Sequence, residues 1–179
     1  MRISTGLIPA LASLLLLAGC STFEKRTPPP CPRISILADA ANMTRFKAGT
    51  GRDITDVELL AGIASYKGSC TYNIDTRIMT VVFQLGIDAE RGPAMSGRTT
   101  SLSYFVAMPA FYPKEDAKQV MSVSMTFPEN SNRIKVVDEE VSVDFAISDF
   151  KELPRYEVFL GLQLDPEQLE FNRDSQHKK

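Results

Sequence analysis

Val120-Met121-Ser122-Val123-Ser124-Met125-Thr126-Phe127 is the stretch of sequence that decides the fold. Its apolar positions, from Met121 to Phe127, alternate with positions that are mostly hydroxyl-bearing. A period of two is that of a β-strand with one face in a core and the other partly in water. The same alternation recurs in residues 141–148 and 156–165, so the sequence predicts at least three strands of this kind.

Shorter apolar runs extend the β pattern outward from these three strands. We predict less regular strands at 57–66, 78–87 and 102–108, a first strand at 34–37 and a short one at 134–137. The connections contain Gly, Pro and Asn, as in Lys67-Gly68-Ser69, Arg91-Gly92-Pro93 and residues 128–132. Seven or eight short strands separated by such turns predict an all-β fold, a β-sandwich of immunoglobulin-like architecture.

A short helix is predicted at the C-terminal end of the sandwich. Asp165 is a suitable N-cap, Pro166 occupies the first helical position, and Gln168 is placed to complete a capping box. We therefore predict a sandwich domain over residues 33–171, ending in this helix, and a disordered polar tail over 172–179.

The N-terminus has the layout of a secretory signal. Arg2 gives a positive start, and an apolar stretch runs from Leu7 to Leu17 with interruptions at Pro9 and Ser13. This stretch is too short for a transmembrane helix, which needs about 20 apolar residues. Residues 1–19 are therefore predicted to be a signal peptide that is removed.

The four residues Leu17-Ala18-Gly19-Cys20 resemble the lipobox of bacterial lipoproteins. The resemblance implies that Cys20 receives a diacylglyceryl group, that the signal is cleaved before it, and that the new amine is acylated. Ser21 resembles the residue that sorts such proteins to the outer membrane, facing the periplasm; the inner membrane and the cell surface stay open as alternatives. An ordinary secretory signal with an incidental cysteine is the competing interpretation.

Cysteine usage predicts a disulfide in an oxidising compartment. The chain has three cysteines, and lipid attachment accounts for Cys20. Cys31 and Cys70 then most simply pair, although two buried free thiols are the alternative. The segment 20–32 ends in a proline-rich run, so we predict an extended tether that spans about 30 Å in ten residues.

Charge argues against nucleic acid as a partner. The chain has 20 Lys and Arg against 22 Asp and Glu, and the charges are interspersed. There is no basic stripe for nucleic acid and no polybasic patch for anionic lipid. The predicted contact with a membrane is therefore made by the acyl chains on Cys20.

Motifs of catalysis are scarce. The sole histidine is His177, in the predicted tail, so triads and His-based metal sites are not expected. No cofactor motif is present, and we predict no cofactor. Asp53, Asp56 and Glu58 could bind a hard cation; the favoured interpretation is an Asx-type turn in which Arg52 pairs with an acid.

Two aromatic stretches and one acidic stretch have a structural and a functional interpretation. Arg45-Phe46-Lys47, with Arg52, forms a small basic aromatic stretch. Phe111 and Tyr112 would be candidates for docking if exposed, while burial under their loop is the favoured alternative. Asp138-Glu139-Glu140 is interpreted as a solvated turn.

Three classes of function remain. The layout resembles uncharacterised families of small β-rich envelope lipoproteins, and this resemblance supplies no catalytic residues. The favoured class is a non-catalytic structural or protein-binding module that contacts other envelope proteins. A binder of a small ligand or lipid is the alternative, and a carboxylate-based enzyme is third. An exposed edge strand or an apolar loop patch would favour the first class, a closed apolar cavity the second, and three acids converging in a cleft the third.

Overall fold

The structure is a computed structural model, and it describes residues 30–177. The predicted signal peptide, Cys20 and most of the predicted tether lie outside these residues. The described chain forms nine strands in two sheets and one C-terminal helix. In chain order the strands are β1 (Arg33–Ile36), β2 (Asn42–Phe46), β3 (Val57–Asn73), β4 (Ile78–Arg91), β5 (Thr99–Ala107), β6 (Lys118–Thr126), β7 (Arg133–Val137), β8 (Val141–Ala146) and β9 (Glu157–Leu162).

The strands are divided between two sheets. The first sheet has the order β1-β9-β5-β6, and the second has β2-β3-β4, with β7 and β8 pairing successive parts of β4. Neighbouring strands are antiparallel except for β1 and β9, which run parallel with Arg33 opposite Glu157. The predicted all-β sandwich is confirmed.

The core lies between the sheets and is built by the predicted alternation. Every second residue of β4 from Met79 to Ile87 is buried, and residues of β5 and β9 face them from the other sheet. Burying such side chains contributes about 1.5–3 kcal/mol each. The fully buried side chains include Leu59, Met79, Phe83, Leu85, Ile87, Tyr104, Phe127, Phe145 and Leu160.

The second and third strands differ from the prediction. Strand β2 was not predicted, because Arg45 interrupts a stretch in which Met43 alone is deeply buried. Lys67-Gly68-Ser69 is not a turn, since all three residues lie within β3 and pair with Gln84, Phe83 and Val82. A Cβ atom on Gly68 would lie 2.7 Å from Ile34 Cδ1, so this glycine makes room for β1.

The helix α1 (Pro166–His177) begins as predicted and extends further. The side chains of Asp165 and Gln168 each accept the other's backbone N–H, at 2.8 and 3.1 Å. The prediction of a disordered tail from Asn172 is wrong for residues 172–177. Asn172 is buried and donates to the carbonyls of Asp39 and Asn42, both at 2.8 Å, and these bonds hold the helix on the sandwich.

Candidate functional site

The predicted disulfide is present and links the two sheets. Cys31 precedes β1 in the first sheet, Cys70 lies within β3 in the second, and their Cα atoms are 5.7 Å apart. Tyr66 of β3 adds a hydrogen bond from its hydroxyl to the Ile34 carbonyl at 2.8 Å. The start of β1 is therefore fixed to the opposite sheet by a covalent and a polar contact.

The acidic cluster forms a turn, as the favoured interpretation had it. Asp53 accepts the backbone N–H of Thr55 at 2.7 Å, and Asp56 accepts that of Asp53 at 3.2 Å. Asp56 is buried and pairs with Lys47 at 2.7 Å. The hydrogen bond from Lys47 holds the pKa of Asp56 below its ordinary value, and the pKa of Lys47 is raised in turn.

The structure does not group Asp53, Asp56 and Glu58 into a metal-binding site. Among residues 30–177, no three His, Cys, Asp or Glu side chains are grouped so as to hold a metal ion. Asp53 and Asp56 are instead occupied by backbone N–H groups and by Lys47. A site of three converging acids is therefore not present in the described part of the chain.

The basic aromatic stretch binds the helix to the sandwich. The Arg52 guanidinium lies over the Phe46 ring, 5.3 Å from its centre, and pairs with Glu167 of α1 at 2.7 Å. Phe46 also packs edge-on against Phe171, with ring centres 5.2 Å apart. These side chains are engaged by α1, so they do not form an open basic surface.

The two aromatic residues of the loop after β5 have different environments. Phe111 packs against Phe145 and Tyr156, with ring centres 5.7 and 5.3 Å apart. Tyr112 is 83% exposed. Phe111 is therefore half-buried under its loop, whereas the prediction of burial is wrong for Tyr112.

Tyr104 and Asp138 form an inter-sheet contact that the sequence analysis did not predict. The hydroxyl of Tyr104, a fully buried residue of β5, donates to Asp138 Oδ2 at 2.6 Å. Burial of the phenol, together with this hydrogen bond, raises the pKa of Tyr104 well above its ordinary value. Asp138 follows β7 in the other sheet and is half-buried, while Glu139 and Glu140 are exposed, so the stretch is a turn whose first acid makes an inward contact.

The outward side of β6 is the candidate site, and we call it the β6 edge. It is the side of Lys118–Thr126 that faces away from β5. No strand within residues 30–177 pairs with it. The pairing of β6 with β5 continues over nine residues without a bulge, so the edge is long and regular.

Alternation along β6 determines which backbone groups point outward. Phe127, just after β6, donates its N–H to the carbonyl of Arg98, just before β5. In an antiparallel ladder the hydrogen-bonded residues alternate with residues whose N–H and C=O point the other way. Lys118, Val120, Ser122, Ser124 and Thr126 therefore direct their backbone groups to the β6 edge.

Each of the other edges of the described sandwich is short, carries a charge, is covered or is held by the disulfide. Natural sheets limit edge pairing in these ways. β1 has four residues and carries Arg33, while β7 carries Arg133 and Lys135. β8 has six residues and carries Asp144. β2 is held against α1, and the distal part of β3 bears the disulfide.

The exposed face beside the β6 edge is rich in hydroxyl groups. Thr99 and Thr126 are hydrogen-bonded at 3.1 Å, and Ser103 and Ser122 at 2.9 Å. At the far end of this face the Lys118 ammonium lies 4.4 Å from the centre of the Phe105 ring. Val120 is 53% exposed, so the strand offers an uncharged surface that ends in one lysine.

An open groove of about 550 Å³ lies on the outer face of the second sheet. Leu60 and Gly62 are among the residues that line it. Its charged walls are neutralised in pairs, with Arg133 bound to Glu90 at 3.0 Å and Lys135 to Asp88 at 3.5 Å. The groove is open to solvent and polar at its sides, unlike the closed apolar cavity expected for a lipid binder.

The class of this molecule is defined by its fold alone, because comparisons with known proteins add no family to it. Protein-family profiles, curated proteins and solved structures give no match to this chain. No helix within residues 30–177 is both long and apolar enough to cross a bilayer. The described chain is thus a disulfide-linked β-sandwich in which the nine-residue strand β6 is unpaired on its outward side.

Proposed function

We propose that the protein is a lipoprotein of the bacterial envelope whose sandwich is a non-catalytic protein-binding module. Cys20 carries the acyl chains, and the domain faces the periplasm from the outer membrane. The observation that carries the binding role is the β6 edge, nine residues long and unpaired within the described chain. Extended segments of other proteins add to such edges through main-chain hydrogen bonds.

Two features support the export and anchoring part of the proposal. Leu17-Ala18-Gly19-Cys20 is similar to a lipobox, and it follows an apolar stretch of signal length. The Cys31–Cys70 disulfide is of the kind that persists in oxidising compartments such as the periplasm. Several acyl chains on one cysteine would give stable attachment, since each buried methylene contributes about 0.8 kcal/mol.

The binding role is favoured over catalysis by the same contacts. The acids of the best carboxylate cluster cap a turn and pair with Lys47, so they are not directed at a substrate. The groove over Leu60 and Gly62 supports a small-ligand alternative, because its volume is in the range of ligand sites. Because the groove is open to solvent, binding of a small ligand is the second candidate function.

The anchor is tested by replacing the acylated residue. Cys20→Ala should block maturation and abolish incorporation of labelled fatty acid, and it should move the protein out of the membrane fraction. Ser21→Ala, next to it, is the matched control and should leave acylation unchanged. A Cys20→Ala protein that partitions with membranes as the wild type does would refute the anchor.

The binding role is tested in intact cells with a photoreactive amino acid. We expect position 120, on the β6 edge, to give a discrete protein adduct. Position 170 is the control, because Glu170 is exposed on α1, away from that edge. Adducts at neither position, or equal adducts at both, would contradict the role assigned to this edge. Turnover of an envelope substrate that disappears in Asp53→Asn or Asp56→Asn would replace the proposal with an enzyme.

A further inference from the structure

We propose that the β6 edge pairs with the same edge of a second copy of this chain. The two β6 strands run antiparallel, with Ser122 facing Ser122 across a two-fold axis. This inference rests on the proposed binding function and names the partner. The pairing joins the two four-stranded sheets that contain β6 into one continuous eight-stranded sheet.

Backbone geometry allows full pairing in this register. With Ser122 at the axis, Val120 faces Ser124 and Lys118 faces Thr126. These are the residues whose backbone groups point outward, so every facing pair is of the hydrogen-bonded type. Each such pair exchanges two bonds, which gives about ten across the interface. A shift by two residues leaves unpaired positions at both ends.

Charge placement favours this antiparallel self-pairing. Lys118 is the sole charged residue of β6. In the proposed register the two lysines are eight residues apart along the ladder, about 27 Å, well beyond the screening length of about 8 Å. Parallel pairing in register would bring them face to face, where like charges are destabilising. A two-fold interface of this kind closes after two copies.

Side-chain chemistry is complementary on both faces of the joined sheet. On the exposed face, the Ser103–Ser122 hydroxyl pair continues into Ser122 of the partner, while Thr126, which is bonded to Thr99, faces the partner's Lys118. On the core side, Met121 of one copy faces Val123 of the other, so the row of apolar side chains continues across the interface. The half-exposed Val120 is covered by the partner strand.

A single cysteine at the axis tests the register in the full chain. In Ser122→Cys the two new sulfurs belong to facing residues whose Cα atoms are about 5.5 Å apart, within the range for a disulfide. Ser124→Cys is the matched control: it lies on the same face and edge, and its copies are about 14 Å apart. Mild oxidation of membranes should give on the order of tenfold more covalent dimer from Ser122→Cys.

A mixed experiment separates the register from chance collision. Cells that make Val120→Cys and Ser124→Cys chains together should form a disulfide between the two variants, whereas either chain alone should not. The wild type retains the native cysteines and should stay monomeric on the non-reducing gel. Equal dimer from Ser122→Cys and Ser124→Cys, or none from Ser122→Cys, would overturn the self-pairing.

Two blocking variants complete the test. Ser122→Pro removes an N–H that points to the edge and not to β5, a position where sheets accept proline, and Val120→Lys places a charge there. Both should abolish the dimer seen by light scattering of the detergent-solubilised protein, with unchanged circular dichroism. Photo-adducts at position 120 with a different protein, in the absence of dimer, would overturn self-pairing and leave the binding function standing.

Discussion

Tyr104 and Asp138 join the two sheets through a hydrogen bond of 2.6 Å between the phenol and the carboxylate. Tyr104 is fully buried, so its hydroxyl depends on this acceptor. The ring also packs edge-on against Phe83 of the opposite sheet, with centres 6.4 Å apart. The pair therefore fixes the relative position of the sheets by polar and apolar contacts together.

Tyr104→Phe should destabilise the fold by about 1.5–3 kcal/mol, the contribution typical of a hydrogen bond to a charged group. The measurement is urea unfolding at neutral pH. Tyr112→Phe is the matched control, because Tyr112 is exposed, and it should change stability by less than about 0.5 kcal/mol. Equal effects of the two variants would show that the inter-sheet bond contributes nothing.

Alkaline pH should weaken the wild type through the same residue. The folded-state pKa of Tyr104 is raised above its unfolded value of about 10, so its contribution is complete below that value. It is lost as the pH rises above about 10, because the unfolded chain then releases the proton and the folded one retains it. In urea unfolding between pH 8 and pH 11, the Tyr104→Phe variant should therefore lose less stability with rising pH than the wild type.

Asp56 should make stability depend on acid pH. Its folded-state pKa is lowered by Lys47, so its contribution is present above the ordinary pKa of an aspartate, about 4, and disappears as the pH falls through the folded value. Asp56→Asn should lower the melting temperature at pH 7 and have little effect at pH 2. Lys47→Gln should remove part of the same difference, and additive effects in the double variant would contradict the pairing.

Loss of the disulfide should destabilise the domain by about 4 kcal/mol, since it closes a loop of about 40 residues. The comparison is urea unfolding of the wild type and of Cys31→Ser/Cys70→Ser, with and without reductant. Reductant should destabilise the wild type and leave the double variant unchanged. Rapid alkylation that labels both cysteines in untreated cells would show that the link does not form there.

Gly161→Ala should destabilise the first sheet by about 1–3 kcal/mol through overpacking. A Cβ atom at Gly161 would lie 2.6 Å from the Phe105 ring and 2.9 Å from Ala40 Cβ. Gly68→Ala should cost less, because its Cβ would meet only the flexible end of the Ile34 side chain, which can move. Phe105→Leu combined with Gly161→Ala should recover part of the loss; no recovery would place the strain elsewhere.

The sequence predicted the strands whose apolar and polar residues alternate regularly. It missed β2 and the second half of β3, whose positions depend on pairing with other strands. β6 and β8 follow the period of two through their whole length, and both were predicted. β3 was predicted to stop near Tyr66, because Gly68 has the composition of a turn. Its actual role, making room for Ile34, depends on a strand that is distant in sequence.

The sequence predicted the strand that forms the candidate site but not its position in the sheet. Residues 120–127 identify a strand, yet period-two alternation is the same in central and edge strands. That β6 lies at an edge follows from the strand order, and that order is set by nonlocal pairing. The contact of Asp138 was not predicted for the same reason, since its partner Tyr104 lies 34 residues earlier and in the other sheet.

The position of the disulfide has a mechanical consequence. β1 is a four-residue strand at the border of its sheet, and alone it would peel from β9 one bond at a time when Pro30 is pulled. Cys31 lies between Pro30 and β1, so the load passes through the sulfur–sulfur bond into β3. At Cys70 that strand pairs with β4 alone, but the β3–β4 pairing runs from Leu59 to Asn73 and yields only if many hydrogen bonds shear together. A pull from the N-terminal side therefore loads the long β3–β4 ladder and spares the short pairing of β1 with β9.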